Sequence, residues 1–388
     1  MSGLNQTPSG ERIHIGIFGR RNVGKSALIN ALTGQSLAIV SDVAGTTTDP
    51  VSKAMELLPL GPVIITDTPG LDDVGELGGM RVEKTRGVLA KTDIAIIVID
   101  AARGKTELEA NLIEDVRARA VPYVVVYNKC DIKMPEAADG ICVSAVTGQG
   151  IDGLKEKLTS FAVKESEAKL MGDLVKRGDT VILVTPIDAS APKGRLILPQ
   201  QQVIRDLLEA GAMPLVCRES ELYAALDRFT PKMVVTDSQV FGLVSGIVPE
   251  GIPLTSFSML MARYKGNFAD AVHGASALDT IKEGDKILIS EGCTHHRQCE
   301  DIGTVKLPMW IKKHTGIEPQ YVFTSGTEFP SDLAGYKMVI HCGGCTLNAR
   351  ELRYRYAMAK AAGVPMTNYG VAIAHMHGIL KRAAEPLM

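Results

Sequence analysis

Residues 13–33 read IHIGIFGRRNVGKSALINALT, and this stretch decides the class of fold. A short run rich in isoleucine ends at Gly19, and an apolar pattern with helical spacing follows Lys25. Residues 19–26, GRRNVGKS, match the motif G-x-x-x-x-G-K-S/T at the place where a strand gives way to a helix. The backbone N–H groups of such a loop cradle phosphate groups. The sequence therefore predicts a phosphate-binding loop in a parallel α/β sheet.

The residues of this loop have different expected roles. Lys25 is expected to reach the β- and γ-phosphates of a nucleotide, and Ser26 to bind Mg²⁺. A glycine-rich turn that only starts a helix is the alternative, but the position of the motif between strand and helix favours phosphate binding. The other residues expected to surround the nucleotide are Gly19, Asn22, Val23, Gly24 and Ala27.

Two later strings complete a nucleotide site. Residues 67–70 read DTPG after a strand, which places Asp67 to hold the Mg²⁺ shell and Gly70 to offer its N–H to the γ-phosphate. Residues 128–131 read NKCD, so Asn128 and Lys129 precede an aspartate. The carboxylate of Asp131 can accept hydrogen bonds from guanine N1–H and the exocyclic amine, which adenine cannot offer. The strings predict GTP rather than ATP.

These motifs together resemble the translation-factor-related small GTPases over residues 1–165. The resemblance implies that residues 45–50, GTTTDP, are a first switch in which Thr47 binds Mg²⁺, with Thr46 and Thr48 as neighbouring alternatives. It also implies that the backbone of Ser144 and Ala145 contacts the guanine carbonyl oxygen. Catalytic roles then fall to Lys25, Thr47 and Gly70.

Two positions bear on the rate of hydrolysis. Leu71 stands where Ras-like proteins carry the glutamine that orients water, so intrinsic hydrolysis is expected to be slow. Asn22 is the residue type that, in the subgroup typified by the tRNA-modification GTPase MnmE, helps bind a potassium ion. We therefore expect turnover to be stimulated by K⁺.

The rest of the chain repeats a strand-then-helix alternation twice. The expected fold class is α/β: a P-loop GTPase domain at 1–165, then two further α/β domains with mainly parallel sheets. These two domains are expected at 166–265 and 266–388. Residues 163–178 are charged, with a helical pattern, and are expected to form an exit helix and connector.

The composition of the chain limits the kinds of partner and the cellular compartment that we expect. With 42 basic and 44 acidic residues the net charge is -2, which does not suit a nucleic-acid surface. The apolar runs have the length of strands and are too short to cross a membrane. No secretory or transit pattern opens the chain, so we expect a cytoplasmic protein without nucleic-acid or membrane partners.

The clustered cysteines predict a metal centre. Cys293 follows one strand, and Cys342 and Cys345 follow another with C-x-x-C spacing, which lets two thiolates reach one metal site. Three cysteines with an open fourth position favour a 4Fe-4S cluster. A Cys₃His zinc site and purely structural thiols are the alternatives.

The fourth ligand of this centre is left open by the sequence. His341 and His295 are candidates, and Asp188 is a further one, although a helix or turn cap is the favoured interpretation of that residue. His296 could act as ligand, as a hydrogen-bond donor behind one, or as a surface imidazole. Cys299 could replace Cys293.

The combination of a GTPase domain, a middle α/β domain, and the strings C-T-H and H-C-G-G-C resembles the FeFe-hydrogenase maturation GTPases of the HydF family over the full chain. The resemblance implies that residues 166–265 are a dimerisation domain and residues 266–388 an iron-sulfur cluster-binding domain. It also implies a homodimeric scaffold that carries a 4Fe-4S cluster, on which the diiron precursor of the hydrogenase active site is assembled and from which it is delivered. Its implied partners are the radical-SAM maturases HydE and HydG and the apo FeFe-hydrogenase. The rival interpretation is a tRNA-modification or ribosome-associated GTPase with a structural zinc.

Overall fold

A computed structural model describes residues 7–34, 50–70, 85–135, 138–162, 169–187, 196–293, 301–326 and 328–388. The contacts divide the chain into two compact units, residues 1–167 and 168–388. Each unit has its own hydrophobic core. No helix among these residues combines the length and the apolar character needed to cross a membrane.

The first unit is built on one six-stranded sheet. Its elements are β1 (Ile13–Phe18), α1 (Lys25–Thr33), β2 (Val51–Leu57), β3 (Gly61–Asp67), β4 (Ile94–Asp100), α2 (Glu107–Ala118), β5 (Tyr123–Asn128), β6 (Ile141–Cys142) and α3 (Ile151–Ala162). Residues 85–91 are also helical. The strand order is β2-β3-β1-β4-β5-β6, and only the β2–β3 pair is antiparallel.

Strand β4, IAIIVID, lies inside the sheet and is buried in the core. All seven of its residues are buried, because a central parallel strand is covered on both faces. One core packs on each face of the sheet. The phosphate loop and the strings at residues 67–70 and 128–131 lie at the carboxyl ends of β1, β3 and β5, where open α/β sheets place their ligands.

The second unit contains two four-stranded sheets. The elements around the first sheet are β7 (Thr180–Val184), α4 (Leu198–Glu209), β8 (Met213–Cys217), α5 (Leu222–Arg228), β9 (Met233–Thr236), α6 (Phe241–Ile247), β10 (Leu254–Ser256) and α7 (Phe257–Tyr264). Those around the second are α8 (Phe268–Ala275), β11 (Lys286–Ser290), α9 (Leu307–Thr315), β12 (Gln320–Thr324), β13 (Met338–His341), α10 (Ala349–Ala361), β14 (Met366–Asn368), α11 (Tyr369–Met376) and α12 (Leu380–Ala384). Every strand pair is parallel, which confirms the predicted fold class.

The two sheets of this unit share one topology. Their orders are β8-β7-β9-β10 and β12-β11-β13-β14, so in each the first strand lies between the second and the third. The chain therefore winds outward in opposite directions from the first strand, and the crevice between the first and third strands is the expected ligand position. Buried residues of both sheets form one continuous core.

The shared topology has a local counterpart in the sequence. Residues 252–266, IPLTSFSMLMARYKG, match residues 364–378, VPMTNYGVAIAHMHG, in their pattern of strand, helix and terminal glycine. Ser256 Oγ accepts a hydrogen bond from the Met259 N–H (3.3 Å), as Asn368 Oδ1 does from the Val371 N–H (2.8 Å). Each residue caps the following helix. The second unit thus contains two copies of one strand-and-helix arrangement, and this internal repeat was not predicted from the sequence.

The prediction that residues 163–178 form an exit helix and connector is wrong about the helix for residues 169–178, the part that the structure describes. Helix α3 ends at Ala162, and residues 169–178 form turns. Met171 is fully buried in the core of the second unit. The carboxylate of Asp206 accepts the N–H groups of Met171 (2.8 Å) and Gly172 (2.6 Å), which satisfies backbone that a helix would have paired internally.

Candidate functional site

The phosphate loop requires glycine at both of its ends. Gly19 and Gly24 have positive φ angles of 148° and 92°. A Cβ atom at Gly19 would lie 2.3 Å from the carbonyl oxygen of Val98, and one at Gly24 would lie 2.3 Å from the Asn128 amide nitrogen. The loop therefore packs tightly against β4 and against Asn128, and only glycine leaves room for this packing.

Lys25 points across this loop. Its ammonium donates to the carbonyl oxygens of Gly19 and Arg20, both at 2.9 Å, and the residue is buried. These two hydrogen bonds hold the ammonium group of Lys25 against the backbone of the loop. Phosphate oxygens could replace the two carbonyl oxygens, because they accept the same hydrogen bonds and also carry negative charge.

Ser26 and Asp67 form a site suited to a cation. Ser26 Oγ donates to Asp67 Oδ2 at 2.7 Å, and Asp67 Oδ1 is buried without a hydrogen-bond partner. Burial raises the pKa of Asp67, although the Ser26 hydrogen bond and the Lys25 charge oppose this. A buried carboxylate with one unpaired oxygen beside a hydroxyl fits Mg²⁺, which these two residues would hold. Gly70 lies three residues after Asp67 and is half-buried.

Asn128 joins the phosphate loop to the opposite side of the nucleotide site. Its Nδ2 donates to the Val23 carbonyl at 2.9 Å, and its Oδ1 accepts the Ala145 N–H at 3.1 Å. Ser144 is fully buried, and its hydroxyl accepts the Thr147 N–H. The structure thus brings together three strings that are far apart in the sequence.

Lys129 and Asp131 complete this side. Lys129 Nζ donates to the carbonyl of Asn22 at 2.7 Å and to Asp100 Oδ2 at 2.8 Å. Asn22 is exposed and has a φ of 62°, a conformation that asparagine tolerates better than most residues. Asp131 is exposed, as a base-binding carboxylate must be. Thr47 and Leu71 lie outside the described residues.

A partly buried ion pair behind the phosphate loop was not predicted from the sequence. Arg20 Nε donates to Glu109 Oε1 at 2.5 Å, and Glu109 is completely buried at the start of α2. A second donor of Arg20 reaches the carbonyl of Gly104. The pair fixes the outer side of the phosphate loop to α2.

The cysteines follow the two central strands of the last sheet. Strands β11 and β13 are neighbours, with Ser290 opposite His341, and the Cys342 N–H donates to the Ser290 carbonyl at 2.9 Å. Cys293 follows β11 and Cys342 follows β13. They therefore meet at the crevice between the first and third strands of the sheet.

Cys342 lies at the centre of this group. Its sulfur accepts the N–H groups of Gly292 (3.0 Å) and Gly344 (3.4 Å). Burial, together with the neighbouring Cys293 and Cys345, raises the pKa of the Cys342 thiol to about 12, so without a metal this sulfur is protonated. A positively charged metal centre would favour the thiolate form of all three cysteines, and N–H donors to sulfur are typical of cluster ligands.

His341 is engaged through both ring nitrogens. Nε2 lies 2.9 Å from Arg355 Nη1, and Nδ1 lies 2.8 Å from the carbonyl oxygen of Cys342. Because a guanidinium can only donate, Nε2 is the acceptor and Nδ1 carries the proton. Burial and, to a smaller extent, the Arg355 charge lower the pKa of His341 to about 3. To bind iron, this ring would have to give up one of its two hydrogen bonds.

Arg355 was not predicted from the sequence. It is 1% exposed, and its guanidinium also donates to Glu351 Oε1 (2.6 Å), the Gly326 carbonyl (2.9 Å) and Ser290 Oγ (3.3 Å). This network ties α10 to the ends of both strands that lead to the cysteines. The other candidate ligands, His295, His296, Cys299 and Asp188, lie outside the described residues.

The fold and the nucleotide site together define a P-loop GTPase. Residues 14–129 match the family model described as a 50S ribosome-binding GTPase. GTPase Der of Wolinella succinogenes is 37% identical over 174 residues, covering 40% of this chain and 36% of that protein. The tRNA modification GTPase MnmE of Xanthomonas campestris is 38% identical over 173 residues, covering 42% and 37%. The chain thus spans a little over a third of the length of these relatives.

The remainder of the chain matches two other models. Residues 170–266 match the hydrogen maturase F dimerization domain, and residues 269–386 match the hydrogen maturase F tetramerization domain. The chain belongs to the hydrogen maturase F family, and both matched domains are domains of self-association. Among solved structures, Era from Aquifex aeolicus is 21% identical over 53% of this chain and 93% of its own, with a TM-score of 0.34.

Proposed function

We propose that this hydrogenase-maturation GTPase is a scaffold that holds a 4Fe-4S cluster on Cys293, Cys342 and Cys345. On this scaffold the diiron precursor of the FeFe-hydrogenase active site is assembled and then delivered. The observation that carries the proposal is the meeting of Cys293 and Cys342 at the central crevice of the last sheet, with Cys345 close enough to raise the pKa of Cys342.

A three-cysteine site suits a carrier. An iron atom without a cysteine can exchange its remaining ligand while the three Fe–S(Cys) bonds stay intact. His341 supports this interpretation, because both of its ring nitrogens are already hydrogen-bonded inside the protein. Of the candidates for a resting fourth ligand, His295 and Asp188 are therefore preferred to His341.

The GTPase domain is proposed to act as a conformational switch. Lys25 would bind the phosphates, Ser26, Thr47 and Asp67 would hold Mg²⁺, and Gly70 would offer its N–H to the γ-phosphate. Hydrolysis would be slow and stimulated by K⁺ at Asn22. Loss of the γ-phosphate releases such switches and can change the affinity for a partner.

The proposed partners follow from the cargo. Radical-SAM maturases HydE and HydG would supply the precursor, and the apo FeFe-hydrogenase would accept it. The protein would act as a homodimer in the cytoplasm. Nothing in the charge balance of the chain calls for nucleic acid.

Activation of apo-hydrogenase by the full chain, prepared anaerobically with both maturases, tests the proposal. Cys342→Ala should abolish activation while Cys217→Ala, a change at a thiol in the last residue of β8 in the other sheet, should leave it intact. Full activation by Cys342→Ala would contradict a carrier role for the cysteine site.

A further inference from the structure

Three side chains with metal-binding chemistry meet at the surface of the second unit. Asp279 Oδ1 lies 2.9 Å from His314 Nε2, and Asp279 Oδ2 lies 2.9 Å from His375 Nε2. The two imidazole rings stand edge to face, with centroids 5.8 Å apart. The ligand atoms of all three residues lie within 4.8 Å of one another.

The three residues are brought together by the fold, since no short motif links them. Asp279 belongs to the turn at Ser276–Thr280, His314 to the last turn of α9, and His375 to the last turn of α11. Helix and strand run in opposite directions in a parallel α/β fold, so the carboxyl ends of the helices lie at the amino edge of the sheet. The cysteines lie at the carboxyl edge, and the two sites are therefore separate.

The spacing of the donor atoms suits one small cation. Around an ion with bonds of about 2.0–2.2 Å and angles near 90–110°, neighbouring ligand atoms stand roughly 3 Å apart. The carboxylate lies at that distance from both imidazole nitrogens. A small movement of the two rings would place a cation between them.

The ion pairs of Asp279 with His314 and His375 do not by themselves explain why the three side chains lie together. The carboxylate side chain is 52% exposed, and the two imidazoles are 26% and 20% exposed. Exposed pairs of this kind contribute little to the free energy of folding. The hydrogen bonds from both histidines lower the pKa of Asp279, so this ligand is a carboxylate over the whole physiological range.

We propose that Asp279, His314 and His375 form a second metal site that takes a divalent transition-metal ion of the zinc and ferrous iron class. Two imidazole nitrogens and one carboxylate are donors that suit such ions, and they leave further coordination positions open to water or an external ligand. The ion would also fasten α9 and α11 to the turn before β11.

Cobalt(II) binding to the full-length protein tests this site. Thiolate ligands give cobalt intense near-ultraviolet charge-transfer bands, whereas nitrogen and oxygen ligands give only weaker visible bands. We expect one Co²⁺ per chain with the nitrogen–oxygen spectrum, in addition to whatever binds the cysteines. His375→Gln and Asp279→Asn should each weaken that ion by at least about tenfold.

His273→Gln is the matched control, because His273 is an exposed histidine on the same unit. It should leave the affinity unchanged, and circular dichroism should show that all three variants fold. The proposal would be overturned if Asp279→Asn and His375→Gln bound the nitrogen–oxygen Co²⁺ as tightly as the unchanged protein, or if every Co²⁺ showed thiolate bands. The cysteine site has its own spectrum, so failure of one site leaves the other measurable.

Discussion

The guanidinium of Arg355 donates a hydrogen bond to Nε2 of His341 at 2.9 Å, and both side chains are buried. His341 is the residue immediately before Cys342, and its other nitrogen is hydrogen-bonded to the Cys342 carbonyl. Arg355 therefore acts through His341 on the loop that carries two cysteines. It is a positioning residue in the proposed cluster site.

Replacing Arg355 with methionine should destabilise the second unit and reduce the iron it retains. Glu351 would be left buried without its partner, and breaking one side of a buried pair costs about 3–5 kcal/mol. Anaerobic thermal unfolding and iron analysis measure the two effects. Arg353→Met, an exposed position on the same helix, should change neither. Unchanged unfolding in Arg355→Met would show that the network does not stabilise the loop.

Asp131→Asn should change the base that the GTPase domain accepts. The substitution removes an acceptor of two hydrogen bonds from guanine, and bonds to a charged group contribute about 1.5–3 kcal/mol each, so GTP affinity should fall by two orders of magnitude or more. Xanthosine triphosphate should bind instead, because its carbonyl can accept from the new amide. Fluorescent nucleotide titration measures both, with Asp152→Asn as an exposed control on α3. Equal GTP affinity in both variants would remove Asp131 from the base site.

Hydrolysis should be faster in potassium than in sodium buffer of the same ionic strength. Asn22→Ala should reduce the potassium rate to the sodium rate, because its side chain is proposed to bind the K⁺ ion. Phosphate release in the two buffers is the measurement. Equal rates for the unchanged protein in sodium and potassium would reject potassium stimulation outright.

Lys25→Ala tests whether nucleotide binding serves maturation. Loss of the ammonium that spans the phosphate loop should abolish GTP binding and should also alter partner association and hydrogenase activation. Lys53→Ala, on strand β2, is the control. If Lys25→Ala lost GTP binding but kept partner association and full activation, the switch role would be wrong.

The sequence predicted the fold well where local pattern decides it. Buried parallel strands such as β4 appear as unbroken apolar runs, and the phosphate loop has a fixed motif. Strand β2 was missed because it lies at the edge of the sheet, where Lys53 and Glu56 interrupt the apolar pattern. The segment 169–178 was misread because the hydrogen bonds that fix it come from Asp206, far along the chain.

The functional sites also divide into residues that local sequence predicts and residues that only the tertiary structure brings together. The nucleotide and cysteine residues could be proposed from short strings, whereas Arg355 lies in a charged helix that looks like a surface helix. Its burial depends on Glu351, His341 and Gly326 meeting in space. Asp279, His314 and His375 were missed for a similar reason, since the intervals between them match no metal-binding motif.

Metal analysis of the anaerobically purified full-length protein, with visible absorption and electron paramagnetic resonance after reduction, tests the central claim most directly. We expect a brown protein with about four iron atoms per chain at the cysteine site and a paramagnetic signal after one-electron reduction, all lost in Cys342→Ala. A colourless protein whose cysteines hold a single zinc ion would contradict the account and would favour a GTPase with a structural zinc.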